Sequence, residues 1–239
     1  NQVYDYILTD KIVTPEKIQK YYDEKFLYLP GSYQSNNGEL NTEIHTKRES
    51  YNLPNDSIIL GCLNQSFKLE PVFFNIWIDI LKENKDTYLW LLDEGSEMRN
   101  NILTFVDNRI DSKRIIFAEK IAYAKHLERI QHIDIALDTR IYNGHTTSLE
   151  MIQAGVPLVT LKGNHFASRV SASIMNAIGM NQLVANDNSE YKDKIVSLID
   201  KDYRTIVKTE IFEKLKESKL LDIKHFSDDF TEKIESIFT

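Results

Sequence analysis

From Asp56 onward, short runs of apolar and β-branched residues alternate with longer segments whose apolar residues recur at helical spacing. The strand-like runs include "SIILGCL", "TYLWLL", "RIIFA", "IDIALDT" and "PLVTL". Segments of about 10–15 residues with helical periodicity separate them. This alternation is typical of a parallel sheet covered by helices, and strands buried on both faces are apolar throughout. We therefore predict an α/β fold with a doubly wound parallel sheet.

The N-terminal part is less regular. Two apolar runs, residues 4–10 and 25–31, flank a segment in which Pro15 predicts the start of a short helix. Residues 32–55 are rich in Asn, Ser, Gln and Glu, which predicts a loop or linker. The chain opens without Met on a strand-like pattern, so we expect a fragment whose N-terminal part is absent. The predicted parts are residues 1–48 (remnant of a preceding region and polar linker), 49–205 (sheet domain) and 206–239 (C-terminal helices).

Composition narrows the class of partner. The formal net charge of −7 argues against nonspecific binding to nucleic acid or to a membrane surface, which requires basic excess. No apolar run reaches the roughly 18 residues that a membrane span needs. The single cysteine, Cys62, excludes an intramolecular disulfide and lies in an apolar run, so we interpret it as a core residue. A cytoplasmic location is the simplest interpretation.

In a doubly wound sheet, ligands bind beyond the carboxyl ends of the strands. Four loops of this chain are predicted to lie there. They are residues 64–70, 118–123, 139–147 and 162–169.

The first two loops carry basic residues. Lys68 follows a strand, where a lysine either pairs with a phosphate as a point charge or stays a solvated surface side chain. His126 and Arg129, three residues apart near the start of a predicted helix, share one face. They either cover a base or ribose, or form an ordinary exposed face.

The third loop contains "NGHTTSLE", and it allows two interpretations. Asn143-Gly144 permits a tight turn with positive φ, directly before a predicted helix start. Unpaired backbone N–H groups and the positive end of the helix dipole favour an anion there. Alternatively, Thr147 and Glu150 have the spacing of a capping box, in which Glu150 is structural.

The fourth loop offers His165 and Arg169, which either close the site or, in the case of Arg169, form a salt bridge at the surface or between domains. The chain contains no H-E-x-x-H pair, no phosphate-binding loop of the G-x-x-x-x-G-K type and no nucleophile elbow. We therefore expect no metal and no cofactor.

Together, the loops resemble the catalytic region of the O-linked N-acetylglucosamine (O-GlcNAc) transferase family. The resemblance rests on "LNQSFKLEP", "RIIFAEKIAYAKHLERIQHIDIALDT", "NGHTTSLEMIQAGVPLVTL" and "ASRVSAS", which occur in the family's order and at family-like spacing. It covers most of residues 4–200. The resemblance implies a GT-B fold, of which this chain is the C-terminal, Rossmann-like, donor-binding half.

The resemblance also implies roles for residues. Gln65 and Lys68 would contact the diphosphate of UDP, and His126 and Arg129 would lie along the uridine. Glu150 stands where the family has a ribose-binding aspartate, and Tyr123 where it has a lysine. The implied donor-binding residues are Gln65, Lys68, Ile121, Tyr123, His126, Arg129, His145, Thr146, Thr147 and Glu150, with Lys68 and His145 also catalytic.

The activity implied is inverting, metal-independent transfer of GlcNAc from UDP-GlcNAc to Ser or Thr of proteins. The partners implied are the UDP-sugar, a protein or peptide acceptor and the absent N-terminal catalytic domain, without which the chain should be inactive. Two alternatives stay open. One is a related transferase that uses GDP-fucose or UDP-glucose, and the other is a non-catalytic module that binds a nucleotide-sugar.

Overall fold

The structure, a computed structural model, describes residues 3–34 and 44–238. Residues 35–43, part of the predicted polar linker, lie outside the described residues. Within the described remainder of that tract, Arg48–Tyr51 forms a short 3-10 helix. In these two described ranges, every helix is too short or too polar to cross a membrane.

The larger sheet has six strands, all parallel, which confirms the predicted doubly wound architecture. Its spatial order is β5-β4-β3-β6-β7-β8. The strands are β3 (Ile58–Cys62), β4 (Thr87–Leu92), β5 (Ile115–Ala118), β6 (Ile135–Leu137), β7 (Leu158–Leu161) and β8 (Val184–Ala185).

Among the described residues, five α-helices connect these strands and three follow the last strand. They are α1 (Pro71–Glu83), α2 (Ser96–Val106), α3 (Tyr123–Arg129), α4 (Thr146–Gln153), α5 (Val170–Ala177), α6 (Asn188–Ser197), α7 (Lys201–Glu217) and α8 (Ile223–Glu235). The boundary predicted after residue 205 falls inside α7. Helix α8 has no buried residue.

Helices cover both faces of the sheet. Strand β7 is buried at every residue and contacts α6 as well as α4 and α5. The strands are mainly apolar because neither face of the sheet is in contact with water. Cys62 is 1% exposed, which confirms it as a core residue, and burial raises the pKa of its thiol to about 12.

The strand order fixes where a ligand can bind. The chain runs from β3 outward through β4 to β5, then returns to the other side of β3 with β6. The loops that follow β3 and β6 therefore diverge and leave a crevice at the carboxyl ends of these strands. These are the loops that carry Lys68 and the "NGHTT" sequence.

The N-terminal segment forms a separate two-stranded parallel sheet from β1 (Tyr6–Thr9) and β2 (Lys25–Tyr28). The helix predicted between them is a 3-10 helix, Glu16–Tyr21, rather than an α-helix. A cleft of about 730 Å³ lies between β2 and α8, away from the crevice. The buried Asp10 accepts a hydrogen bond from Ser173 of α5 and so attaches this segment to the domain.

Candidate functional site

A cleft of about 440 Å³ lies at the carboxyl ends of the strands, where loops after β3, β5 and β6 meet. It contains eight of the ten donor-binding residues predicted from the sequence. These are Gln65, Lys68, Ile121, Tyr123, His126, Arg129, Thr147 and Glu150. The same lining has four residues that were not predicted as donor-binding, which are Leu63, Asn64, Leu92 and Lys120.

Lys68 ends a single 3-10 turn, Ser66–Lys68, between β3 and α1. Its Nζ donates to the carbonyl of Asn143 at 3.0 Å and to Asn64 Oδ1 at 3.4 Å, and it lies 4.2 Å from the centroid of the Tyr142 ring. Burial lowers the pKa of this ammonium, and the nearby Asp138 opposes the shift. Across the described part of the chain, no carboxylate forms an ion pair with Lys68, so its charge is held in place by neutral oxygens.

Helix α4 begins beside this ammonium. It starts at Thr146 with His145 as N-cap, and the His145 side chain accepts no capping hydrogen bond. The capping box predicted with Thr147 as N-cap is wrong, because the N-cap is His145, two residues earlier, and Glu150 contacts His126 and Tyr123 instead. Without a side-chain cap, the first N–H groups of α4 are available to a ligand, and Thr147 of this first turn lines the cleft.

Gly144 precedes α4, and a glycine is needed there for a different reason from the one predicted. Neither Asn143 nor Gly144 has positive φ, so the predicted left-handed turn is wrong. A Cβ on Gly144 would instead lie 2.3 Å from Ser148 Oγ and 3.3 Å from Asn64 Oδ1. Glycine is required because the loop after β6 passes so close to the first turn of α4.

Two buried polar atoms in the third loop have no protein partner among the described residues. They are His145 Nε2 and Asn143 Oδ1. Burial lowers the pKa of the His145 imidazole, and the adjacent Lys68 lowers it further, against a hydrogen bond with the backbone of Ala167. His145 therefore favours the neutral form at neutral pH and retains an unused nitrogen. Unpartnered buried polar atoms are costly, so a bound ligand is a natural partner.

The other wall of the cleft is a chain of polar contacts. Arg129 Nε donates to His126 Nδ1 at 3.2 Å, and His126 Nε2 lies 3.4 Å from a carboxylate oxygen of Glu150. Arg129 also donates to the carbonyl of Glu119, and only 2% of it is exposed. The exposed-face interpretation of His126 and Arg129 is therefore wrong. Arg129 is the last residue of α3 and not one of its first, and its hydrogen bond holds the His126 ring in place.

Tyr123 and Glu150 lie close together at the mouth. The Tyr123 side chain is mostly exposed. Burial of the remainder raises the pKa of the phenol, and so do the charge of Glu150 and a hydrogen bond with that residue. Glu150 is buried. Its carboxylate therefore faces the cleft between a phenol and an imidazole, which is compatible with the ribose-binding alternative.

Asp138 is a residue that the sequence analysis missed. It follows β6, is fully buried, and accepts from the N–H groups of Thr139 and Gly144 and from the hydroxyl of Thr160. Burial raises the pKa of its carboxyl. The sequence signal for Asp138 is its position directly after the apolar strand residues in "IALD".

The remaining predicted residues lie outside the lining. Thr146 is exposed to solvent, and His145 is partly buried. In the fourth loop, Arg169 is buried and donates to the carbonyls of Gly163, Asn164 and Val13. Both interpretations of Arg169 are wrong, since it forms no salt bridge with any described residue and instead joins the N-terminal segment to the domain through these carbonyls. His165 is exposed and does not line the cleft.

Within residues 3–34 and 44–238, no group of three or more His, Cys, Asp or Glu side chains is arranged to hold a metal ion. The positive charge at the cleft comes from Lys68, Lys120, Arg129 and the start of α4.

The sequence matches a known protein family. The profile of the family described as Glycosyl transferase family 41 matches residues 34–230. The chain is 36% identical over 203 residues to the probable UDP-N-acetylglucosamine–peptide N-acetylglucosaminyltransferase SEC of Arabidopsis thaliana, covering 81% of this chain. It is 34% identical over 191 residues, 79% of this chain, to the UDP-N-acetylglucosamine–peptide N-acetylglucosaminyltransferase of Caenorhabditis elegans. The match spans only 21% and 17% of these two relatives.

Solved structures share the fold. A mutant of the Thermobaculum terrenum O-GlcNAc transferase superimposes with a TM-score of 0.83 at 24% identity, covering 98% of this chain and 44% of that one. The pneumococcal O-GlcNAc transferase in complex with UDP and GlcNAc gives a TM-score of 0.60 at 15% identity, covering 98% and 46%. The chain therefore has the fold of the C-terminal domain of GT-B glycosyltransferases, as the sequence predicted.

Proposed function

Because this chain belongs to glycosyl transferase family 41, we propose that it is the donor-binding part of an enzyme that transfers GlcNAc from UDP-GlcNAc to Ser or Thr of proteins. The acceptor and the absent N-terminal domain complete the site in this proposal. The observation that carries it is the juxtaposition of the unneutralised Lys68 ammonium with the uncapped start of α4.

This juxtaposition suits a diphosphate. Lys68 is desolvated enough to interact strongly with an anion, and the N–H groups at the start of α4 supply a second site of positive potential. The unpartnered Nε2 of His145 lies in the same loop. The fold holds the Lys68 ammonium and the start of α4 in place before a ligand binds, so little ordering is needed on binding.

The remaining wall suits a nucleoside. In the proposed pose, the uridine lies along His126, which Arg129 holds in one orientation. Glu150 accepts from the ribose hydroxyls, and Tyr123 stacks on the base or covers it. Ile121 supplies apolar contact beside them.

In the proposed reaction, an acceptor hydroxyl attacks the anomeric carbon from the face opposite UDP. The bond between this carbon and the β-phosphate oxygen breaks, UDP leaves with the electron pair, and the configuration inverts. Lys68 and the start of α4 stabilise the charge that develops on UDP, so the proposed transfer needs no metal ion. The acceptor proton passes to a base of the absent N-terminal part.

Calorimetric titration of this chain with UDP and GDP tests the donor class. We expect binding of UDP, and tighter binding of GDP would contradict the proposal and favour a GDP-sugar transferase. In the full-length protein, transfer from UDP-GlcNAc should exceed that from UDP-glucose and persist in EDTA. A full-length protein that binds UDP-GlcNAc without turnover would instead support the non-catalytic module.

Two expectations complete the proposal. The isolated chain should not transfer sugar, because its cleft opens at the face where the second domain of a GT-B enzyme would lie. A cytoplasmic location is also proposed, on the basis of the single, buried cysteine. Fractionation of cells that express the tagged protein tests this location.

A further inference from the structure

One carboxylate connects three loops of the cleft. Glu94 lies in the loop after β4, and its Oε2 accepts from the backbone N–H of Ser66 at 2.6 Å and from Ser66 Oγ at 2.5 Å. Its Oε1 accepts from Lys120 Nζ at 3.2 Å. Ser66 follows β3 and Lys120 follows β5, so Glu94 bridges the loops on either side of its own.

The turn that carries Lys68 depends on this bridge. The N-cap residue of the turn, Gln65, gives no side-chain capping bond. Glu94 takes that place from another loop by accepting the first N–H of the turn. Since Lys68 is the third and last residue of the turn, fixing Ser66 fixes the direction in which the Lys68 side chain leaves the backbone.

Lys120 is a further cation in the lining of the cleft, besides Lys68 and the buried Arg129. Its side chain is 64% exposed, whereas that of Glu94 is 17% exposed. An exposed lysine without a partner samples many rotamers, and ordering it on binding is costly. The hydrogen bonds from Ser66 and Lys120 lower the pKa of Glu94, which is therefore ionised at neutral pH and holds Lys120 at the rim.

We propose that Glu94 is a positioning residue for the donor diphosphate, which orients the turn ending at Lys68 and presents Lys120 as a second cation to the same phosphates. This inference rests on the proposed function, because it assumes that UDP binds in this cleft. It assigns a binding role to Lys120 and a positioning role to Glu94, which touches no ligand itself.

Titration of the chain with UDP and with uridine, which lacks phosphate, tests the inference. We expect Glu94→Ala to weaken UDP binding about tenfold and to leave uridine binding within about twofold of the unsubstituted chain. Lys120→Met should weaken UDP binding about threefold, again without effect on uridine. Ser66→Ala in the Glu94→Ala background should cost nothing further, since its partner is already absent.

The matched controls are Glu97→Ala, an exposed carboxylate on α2, and Lys125→Met, an exposed lysine on α3 outside the lining. Both should bind UDP normally. If Glu94→Ala does not fold, Glu94→Gln replaces it, because Gln retains an acceptor for Ser66 but not the charge for Lys120.

Three results would overturn the inference. One is UDP affinity unchanged in Glu94→Ala, and a second is an equal loss for UDP and uridine, which indicates a general structural role. The third is tighter UDP binding in Glu94→Gln, which means that the carboxylate merely repels the diphosphate. A chain that binds no UDP at all contradicts the proposed function itself, whereas the three results above leave it standing.

Discussion

The Nζ of Lys68 donates to the backbone carbonyl of Asn143 at 3.0 Å, and this bond joins the loops that diverge from β3 and β6. The crevice between diverging loops is where a doubly wound sheet binds its ligand. The bond therefore places a partly buried ammonium in the crevice, and Asn143, which accepts it, lies three residues before Thr146, the first residue of α4. The proposed donor site depends on this relationship.

Substitution of Lys68 tests its role in diphosphate binding. We expect Lys68→Ala to weaken UDP binding by about 10- to 100-fold, the cost of removing a charge-assisted contact. The unfolding midpoint should stay within a few degrees, since the lost partners are a carbonyl and an amide at a solvent-connected cleft. In the full-length protein, transfer should be severely impaired. Lys125→Ala, at an exposed position, serves as the control, and normal turnover of the Lys68 variant would refute the assignment.

Substitution of Glu150 distinguishes a ribose ligand from a structural residue. Its carboxylate faces His126 and Tyr123 and does not cap α4. We expect Glu150→Gln to weaken binding of UDP about tenfold and to leave binding of 2′,3′-dideoxy-UDP almost unchanged, because the latter has no hydroxyl to donate. Calorimetry with both nucleotides measures the difference. Equal losses would show that Glu150 acts only by holding His126.

Protonation of His145 should accompany UDP binding. Burial and Lys68 hold the pKa of the free imidazole below its ordinary value. A bound diphosphate favours the imidazolium and raises this pKa, so the complex takes up protons at pH values between the two. Calorimetry at about pH 6 in buffers of different ionisation enthalpy counts them. Uptake should be lower in His145→Asn, and an equal count in both proteins would place the diphosphate away from His145.

Gly144 should not tolerate a side chain. A Cβ there would lie 2.3 Å from Ser148 Oγ, which is fixed by a 2.8 Å bond to Ser171 Oγ. We expect Gly144→Ala to lower the free energy of unfolding by about 1–3 kcal/mol and to weaken UDP binding. Addition of Ser148→Ala should restore part of both, because it removes the nearer clash. Denaturant titration measures the stability, and a neutral Gly144→Ala would show that the loop moves freely.

The elements could be predicted from local patterns, whereas the individual residues of the cleft came from the resemblance to a known family. Alternating apolar runs predict parallel strands, and the strand-end rule selects the loops with Lys68, His126 and Glu150. The helix start was predicted two residues late, because Thr147 and Glu150 have the spacing of a capping box, whereas His145 is not a residue type that favours the N-cap position. The roles of Asp138 and Glu94 were missed because their partners come from other loops. Arg129 was misjudged for the same reason, since its partners, the Trp90 ring and the carbonyl of Glu119, belong to β4 and to the loop after β5.

A crystal structure of this chain with UDP tests the central claim most directly. The account predicts the β-phosphate within hydrogen-bond distance of Lys68 Nζ and of the first N–H groups of α4, with the ribose at Glu150. UDP in the cleft between β2 and α8, or a diphosphate remote from Lys68, would contradict it.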